Sequence, residues 1–116
     1  MESKYDNLRK KIMAFRDARD WAQYHDPKNL ASAISIEAAE LQEIFLWLST
    51  QASRQLPAAK IDRVKDEVAD IFIFLNYLCD ALDINLFEAA EDKLAQNALK
   101  YPVALSKGSN RKYTDL

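Results

Sequence analysis

The sequence predicts an all-α protein, because apolar residues recur at intervals of three and four along most of the chain. The 116 residues also contain one glycine and three prolines, whereas a β-sandwich or barrel needs many turns rich in these two residue types. We therefore expect a bundle of about four helices in a single domain, residues 1–116, with an irregular C-terminal tail at 102–116.

The first half of the chain predicts two helices. A helix is expected at about residues 4–20, where apolar side chains repeat at helical spacing from Tyr5 to Phe15. A second helix begins at Asp26-Pro27, since aspartate is a favoured N-cap and proline suits the first helical position. This helix is expected to extend to about Ser49.

The second half predicts two more helices, separated from the first pair by a connector at 51–57. The third helix begins near Pro57 and reaches Leu82. Asn85, with Glu88 three residues later, has the pattern of a capping box and begins a fourth helix, which ends near Lys100.

Two segments are apolar on nearly every helical face. Residues 30–47 contain no lysine or arginine, and residues 71–79 contain no charged residue. A helix of this kind is buried on more than one side, and a chain of this length has little material to cover two of them. We therefore expect a homo-oligomer built on the second and third helices.

Composition excludes several classes of function. One glycine is too few for a P-loop or a Rossmann fingerprint, and a net charge of −2 provides no positive field for nucleic acid. The one cysteine, Cys79, cannot form an intrachain disulfide and is expected to be a buried thiol in a reducing compartment. A polar N-terminus and the lack of an 18-residue apolar run predict a cytoplasmic protein with no membrane partner.

Acidic residues interrupt both apolar helices at a spacing of three. Glu37 and Glu40 share one face of the second helix, and Glu67 and Asp70 share one face of the third. Four such carboxylates repel one another unless a cation compensates them, and oxygen ligands favour Mg²⁺ or Mn²⁺. A di-iron site is disfavoured because the one histidine, His25, lies outside any Glu-x-x-His pair. The alternative is a solvated acidic face, or salt bridges across a subunit interface.

The acidic motif, Glu37-x-x-Glu40 followed by Glu67-x-x-Asp70, resembles that of the MazG-like all-α nucleoside triphosphate pyrophosphatases. Other segments resemble the dCTP pyrophosphatase branch of this family. They are residues 15–30, Phe45-Leu-Trp47, the run from Lys93 to Val103 and the tail from Leu105 to Leu116.

The resemblance implies Mg²⁺-dependent hydrolysis of a nucleoside triphosphate to the monophosphate and pyrophosphate, with Mn²⁺ as a substitute. The favoured substrate is dCTP or a modified dCTP, removed from the nucleotide pool as housecleaning. The implied assembly is a homotetramer formed as a dimer of dimers. The implied metal-binding and catalytic residues are Glu37, Glu40, Glu67 and Asp70, with Glu40 or a neighbouring ligand also orienting the attacking water.

The resemblance also implies a substrate site with two parts. The candidates near the base are Phe15, Trp21, His25 and Trp47, and those near the phosphates are Lys93, Asn97, Tyr101 and Lys112, with Tyr113 beside them. Phe74 stands where the family leads us to expect tyrosine, which leaves base and sugar selectivity open. Two alternatives therefore remain: a broader dNTP pyrophosphatase that includes dATP, and a non-catalytic helical interaction module.

Overall fold

The computed structural model describes residues 2–116, and the described residues form helices and loops without a β-strand. The predicted all-α fold is confirmed. The helices are α1 (Lys4–Asp17), α2 (Pro27–Phe45), α3 (Thr50–Ser53), α4 (Ala58–Ala81), α5 (Leu86–Lys100) and α6 (Val103–Ser106), with 3₁₀ turns at Trp21–Tyr24 and Tyr113–Asp115.

The chain divides into two compact units, one ending at Asp83 and the other running from Ile84 to Leu116. The first contains α1 to α4, and the second contains α5, α6 and the tail. The expectation of one domain over residues 1–116 stays a prediction.

The starts of α2 and α5 have the predicted N-caps, although the described hydrogen bonds do not include the return bond to the Glu88 side chain that a capping box requires. The Asp26 carboxylate accepts a hydrogen bond of 2.8 Å from the backbone N–H of Asn29, at the start of α2. The Asn85 side chain accepts one of 3.1 Å from the backbone N–H of Glu88, at the start of α5. These bonds satisfy donors that a helix leaves without a partner in its first turn.

Several helix ends differ from the predicted ones. The first helix ends at Asp17 rather than near residue 20, because the chain turns at Asp20, whose φ is 54°. The second ends at Phe45, four residues before the predicted end, because Trp47 has a left-handed φ of 68°. The predicted connector contains the single turn α3, and the tail predicted to be irregular contains α6 and a 3₁₀ turn.

The unit up to Asp83 is built on α2 and α4, which form its most extensive helix pair. The two helices are antiparallel, since Leu30 shares a core cluster with Tyr77 while Glu37, further along α2, lies near Glu67. Alongside them, α1 runs parallel to α4: the Tyr5 ring contacts Phe72, and the core cluster joins Ile12 to Tyr77.

Apolar side chains remain exposed on α2 and α4 in this single chain. Ile36 is 58% exposed and Val68 is 51% exposed. The oligomer expected from these two helices stays a prediction. None of the helices described in residues 2–116 combines the length and the apolar character that a membrane crossing requires.

Candidate metal centre and adjoining cavity

Three of the four predicted acidic ligands come together between α2 and α4. Glu37 on α2 and the pair Glu67 and Asp70 on α4 each offer one carboxylate oxygen, and these three oxygens lie within 4.8 Å of one another. The spacing of three places Glu67 and Asp70 on one side of α4. The antiparallel packing of α2 then brings Glu37 opposite them.

The cluster is electrostatically incomplete. The pKa of the Glu37 carboxyl is raised from 4.5 to about 7, first by its interaction with the Glu67 carboxyl, then by burial, and then by Glu40. Oε2 of Glu37 and Oε2 of Glu67 are both buried without a hydrogen-bond partner in the described chain. No lysine or arginine of residues 2–116 forms an ion pair with either residue.

A divalent cation fits this donor set. The cluster consists of carboxylate oxygens alone, which suit hard ions such as Mg²⁺ and Mn²⁺. Buried anionic oxygens without a partner carry a large desolvation cost, and a bound cation compensates it. Glu37, Glu67 and Asp70 are thus the residues of this unit that could hold the ion.

The fourth predicted ligand, Glu40, lies one helical turn after Glu37 on α2 and is exposed. Its carboxylate is not among the three clustered groups, but it interacts with Glu37 closely enough to raise the pKa of that residue. The structure therefore places Glu40 at the edge of the cluster, and its role as a ligand stays a prediction.

A cavity of about 450 Å³ adjoins the acidic cluster, and Asp70 belongs to both. Three of the four residues predicted near the base line it: Phe15, Trp21 and His25. Most of its wall is apolar or aromatic, as expected for a site that holds a flat ring. The remaining lining residues are Lys11, Ile12, Ile73, Phe74 and Tyr77.

The aromatic wall is held by ring contacts and by Arg19. The Phe15 and Trp21 rings meet edge to face with centroids 5.7 Å apart. The Arg19 guanidinium lies 3.6 Å from the Phe15 ring centroid and donates a 2.9 Å hydrogen bond to the Phe15 carbonyl oxygen. These contacts fix the Phe15 side of the cavity before any ligand binds.

His25 packs against Tyr77 on α4, with ring centroids 4.7 Å apart. The Tyr77 hydroxyl donates a 3.1 Å hydrogen bond to the Ile12 carbonyl oxygen, which ties α4 to α1. Burial, and then the positive charge of Arg16, lower the pKa of His25 below 6.5. The imidazole beside the cavity is therefore neutral at pH 7.

Trp47, the fourth residue predicted near the base, is not among the residues that line this cavity. It follows the end of α2, where its side chain is 92% exposed and lines a shallow surface groove with Glu43 and Leu46. It is therefore not part of the core of this chain. Its role in substrate binding stays a prediction.

The residues predicted near the phosphates belong to the unit from Ile84 to Leu116. Lys93 and Asn97 lie on α5, Tyr101 caps its C-terminus, and Lys112 precedes the last 3₁₀ turn. Within this unit the Tyr101 ring contacts the Tyr113 ring edge to face, with centroids 5.9 Å apart. The tail thus folds back on the end of α5, and the four assignments stay predictions.

The sequence reasoning missed Lys11 and Tyr77, and it did not use Phe74 as a lining residue. A signal was present for each of them. Lys11 lies four residues before Phe15, while Phe74 and Tyr77 lie four and seven residues after Asp70. These spacings place each residue on the same helix face as a residue already predicted for the site.

Cys79 lies outside this site and is partly buried. Burial raises the pKa of its thiol above 9.0, so the thiol is protonated at neutral pH. The structure thus places Cys79 at a partly buried position, where the sequence predicted a buried thiol.

The fold and the acidic cluster define a class of helical protein that can hold a divalent cation beside an aromatic cavity. The model of the MazG-like family matches residues 32–116, and the chain belongs to this family. It is 37% identical to mouse dCTP pyrophosphatase 1 and 32% identical to the human protein of that name, in both cases over 99% of this chain and 69% of the relative.

A solved structure is also similar to this chain. A pyrophosphatase from Archaeoglobus fulgidus superimposes with a TM-score of 0.83 at 42% sequence identity, over 88% of this chain and 95% of the other. The resemblance stated from the motifs is thereby confirmed at the level of family and fold.

Proposed function

We propose that this protein is a Mg²⁺-dependent pyrophosphatase that converts dCTP, or a modified dCTP, to the monophosphate and pyrophosphate. The comparisons with known proteins give the class of enzyme: the chain is a nucleoside triphosphate pyrophosphohydrolase of the MazG-like family. The preference for dCTP, the choice of Mg²⁺ over Mn²⁺, the housecleaning role and the cytoplasmic location are the proposal. Relatives named dCTP pyrophosphatase 1 support the choice of base.

One observation carries the proposal: Asp70 belongs both to the carboxylate cluster and to the wall of the aromatic cavity. A nucleotide with its phosphates at the cluster can therefore extend its base along the cavity. The volume of about 450 Å³ is within the range of small-molecule sites. This arrangement supports a nucleotide substrate, because a group of carboxylates for a cation and an aromatic wall for a flat ring lie next to each other.

The reaction adds one water across the bond between the α and β phosphorus atoms. A bound Mg²⁺ would neutralise phosphate oxygens and lower the pKa of a bound water. Glu37, Glu67 and Asp70 would hold that ion, and Glu40 at the edge of the cluster would accept a hydrogen bond from the attacking water. The aromatic wall around Phe15 binds the base and excludes bulk water. No covalent intermediate with the protein is required.

Four residues of the second unit complete the proposal. Lys93, Asn97 and Tyr101 follow one another at intervals of four, so they form one stripe along α5 and its end. A lysine, an amide and a hydroxyl in such a stripe are donors that suit phosphate oxygens. Lys112, in the tail, is proposed to bind the substrate as well.

We also propose that the active form is a homotetramer, and light scattering of the purified protein tests this assembly.

The variant Trp47→Ala tests a separate proposal, the role of Trp47 in the substrate site. A tryptophan exposed over 92% of its surface contributes little to the fold of one chain. Trp47→Ala should therefore leave the melting temperature of dilute monomer nearly unchanged, while raising KM for dCTP severalfold if Trp47 binds the base. An unchanged KM would remove Trp47 from the substrate site, and light scattering of both proteins would report the assembly.

The decisive experiment incubates the purified protein with each NTP and dNTP, with and without Mg²⁺, and measures pyrophosphate and monophosphate. Release that requires Mg²⁺ and is highest for dCTP supports the full proposal. Similar rates for dCTP and dATP would favour the broader dNTP pyrophosphatase. No release with any nucleotide would favour the helical interaction module.

Glu40→Gln and Glu43→Gln make a matched pair for the same assay, because both are exposed glutamates on α2. We expect Glu40→Gln to abolish turnover with the oligomer intact, and Glu43→Gln to retain near-normal turnover. Near-normal activity of Glu40→Gln would contradict its place in the site.

A further inference from the structure

Lys11 brings a positive charge to a cavity whose other lining residues are aromatic or aliphatic apart from Asp70. It is the one lysine or arginine among the lining residues, on α1 one turn before Phe15. Among residues 2–116 it forms no ion pair within 4.0 Å, not even with Asp70 on the same wall. Its neighbour Lys10 instead pairs with Glu2 and does not line the cavity.

The chemistry of an ammonium group restricts what it can recognise. It donates three hydrogen bonds and accepts none, so its partner must be an acceptor that is electron-rich. Aromatic rings also line the cavity, and they suit the flat faces of a base. They belong to Phe15, Trp21 and Phe74. An acceptor at the edge of that base is therefore the group that Lys11 can reach when the cavity is filled.

The phosphates are the weaker candidate for this contact. Lys11 lies on α1, whereas the carboxylate cluster is built from α2 and α4. Among the described residues, Asp70 alone belongs to both the cluster and the cavity wall. The lining residues around Lys11 are mainly apolar, an environment that favours a base over a triphosphate.

We propose that Lys11 determines base specificity by donating a hydrogen bond to a carbonyl oxygen of the nucleobase. This inference rests on the proposed function. Cytosine, uracil, thymine and guanine carry such an oxygen, and adenine does not. In this proposal Lys11 is placed for that carbonyl oxygen and not for a ring nitrogen of adenine, so it favours dCTP over dATP, the two substrates left open by the sequence.

The test compares Lys11→Met with Lys10→Met, which removes the same charge from the adjacent position of α1. We expect Lys11→Met to lower kcat/KM for dCTP about 10- to 100-fold, mainly through KM, since a charged donor to a substrate carbonyl is lost. The value for dATP should change less than about threefold, so that the preference for dCTP shrinks. Lys10→Met should retain the preference, and Lys11→Arg should retain part of it.

Two outcomes would overturn the inference. An equal loss for dCTP and dATP would move Lys11 to the sugar or the phosphates, and no loss for either would leave its ammonium group in solvent. Circular dichroism melting of all three variants would establish that they fold.

Failure of the proposed function gives a different result, namely no pyrophosphate from the wild-type protein with any nucleotide. Calorimetric titration with dCMP and dAMP then tests Lys11 by binding alone. A preference for dCMP that Lys11→Met removes would support the inference, and equal affinities in the wild-type protein would contradict it.

Discussion

The acidic side chains of α4 have different partners near the two ends of the helix. Near its C-terminus, Asp80 accepts a 2.8 Å hydrogen bond from Arg16 of α1, and the same guanidinium donates a 2.8 Å bond to Asp17. Nearer its N-terminus, Glu67 has a buried oxygen without a partner and a second glutamate, Glu37, beside it. One end of the helix is neutralised within the chain, and the other is not.

This difference suggests a structural role for the contact between Arg16 and Asp80 and a different one for the carboxylate cluster. The contact of Arg16 and Asp80 satisfies both partners and ties α1 to α4, so it contributes to the fold. The contact between Glu37 and Glu67 costs stability, because burial and like charge both oppose ionisation. A group of carboxylates without a basic partner is suited to bind a cation, whereas Asp80 already has the Arg16 guanidinium as its partner.

Removing the charge of Glu67 should have the largest effect and should move activity and stability in opposite directions. Glu67→Gln deletes a proposed ligand, and we expect kcat to fall more than about 100-fold, since even residues that only support metal ligands are worth 10- to 100-fold. The metal-free protein should become more stable by roughly 1 kcal/mol, because a buried repulsion is relieved. Pyrophosphate release and urea unfolding in EDTA measure the two effects.

The exposed Glu43 provides the control, since Glu43→Gln removes the same charge from α2 outside the cluster. Wild-type protein should also gain thermal stability from Mg²⁺, by about 2.7 kcal/mol at one hundred times its dissociation constant. Glu67→Gln should lose this gain and Glu43→Gln should keep it. Equal stabilisation of all three proteins by Mg²⁺ would place the ion elsewhere.

Breaking the contact between Arg16 and Asp80 should have the reverse pattern, namely a loss of stability with little change in kcat. Arg16→Met leaves Asp80 and Asp17 without their cation, and we expect the free energy of unfolding to fall by about 1–2 kcal/mol. At saturating substrate kcat should stay within about threefold of wild type, because Arg16 is outside the carboxylate cluster. Arg54→Met, at an exposed position after α3, is the matched control. A large loss of kcat in Arg16→Met would remove the contrast between the two ends.

The sequence indicated the carboxylate cluster on α4 more directly than it indicated the contact between Arg16 and Asp80. Acidic residues at a spacing of three inside apolar helices are visible without a structure. Glu37 with Glu40 and Glu67 with Asp70 are the two such pairs. The pairing of Arg16 with Asp80 joins residues 64 positions apart. Periodicity indicates which face of a helix is buried, but it does not indicate which residue of another helix lies opposite.

The end of α2 and the cavity wall illustrate the same limit. Leu46 and Trp47 continue the apolar pattern of α2, so the sequence extended the helix to Ser49, but the left-handed backbone at Trp47 ends it at Phe45. Periodicity does not report a single backbone angle. Lys11 was missed because lysine on a helix surface is common, and only the packing of α1 against α4 makes it part of a cavity.

The smallest expected effect concerns His25, which lies between the cavity and the Arg16 contact. Burial, and then the charge of Arg16, hold its pKa below 6.5 in the folded protein. Between that lowered pKa and 6.5 the unfolded chain binds more protons than the folded one, so the free energy of unfolding falls as pH decreases through this window. The stability that comes from the neutral imidazole is fully present above 6.5.

Urea unfolding of wild type and His25→Gln at pH 7.5 and pH 5.5 tests this linkage. The carboxylates titrate in both proteins, so they cancel in the comparison. We expect wild type to lose more stability than His25→Gln over this interval, and Arg16→Met to lessen the wild-type loss, because one cause of the lowered pKa is then absent. If His25→Gln lost as much as wild type, the imidazole would be equally easy to protonate in the folded and unfolded chains. Arg16, which pairs with Asp80 near the C-terminus of α4, would then have no electrostatic influence on the cavity.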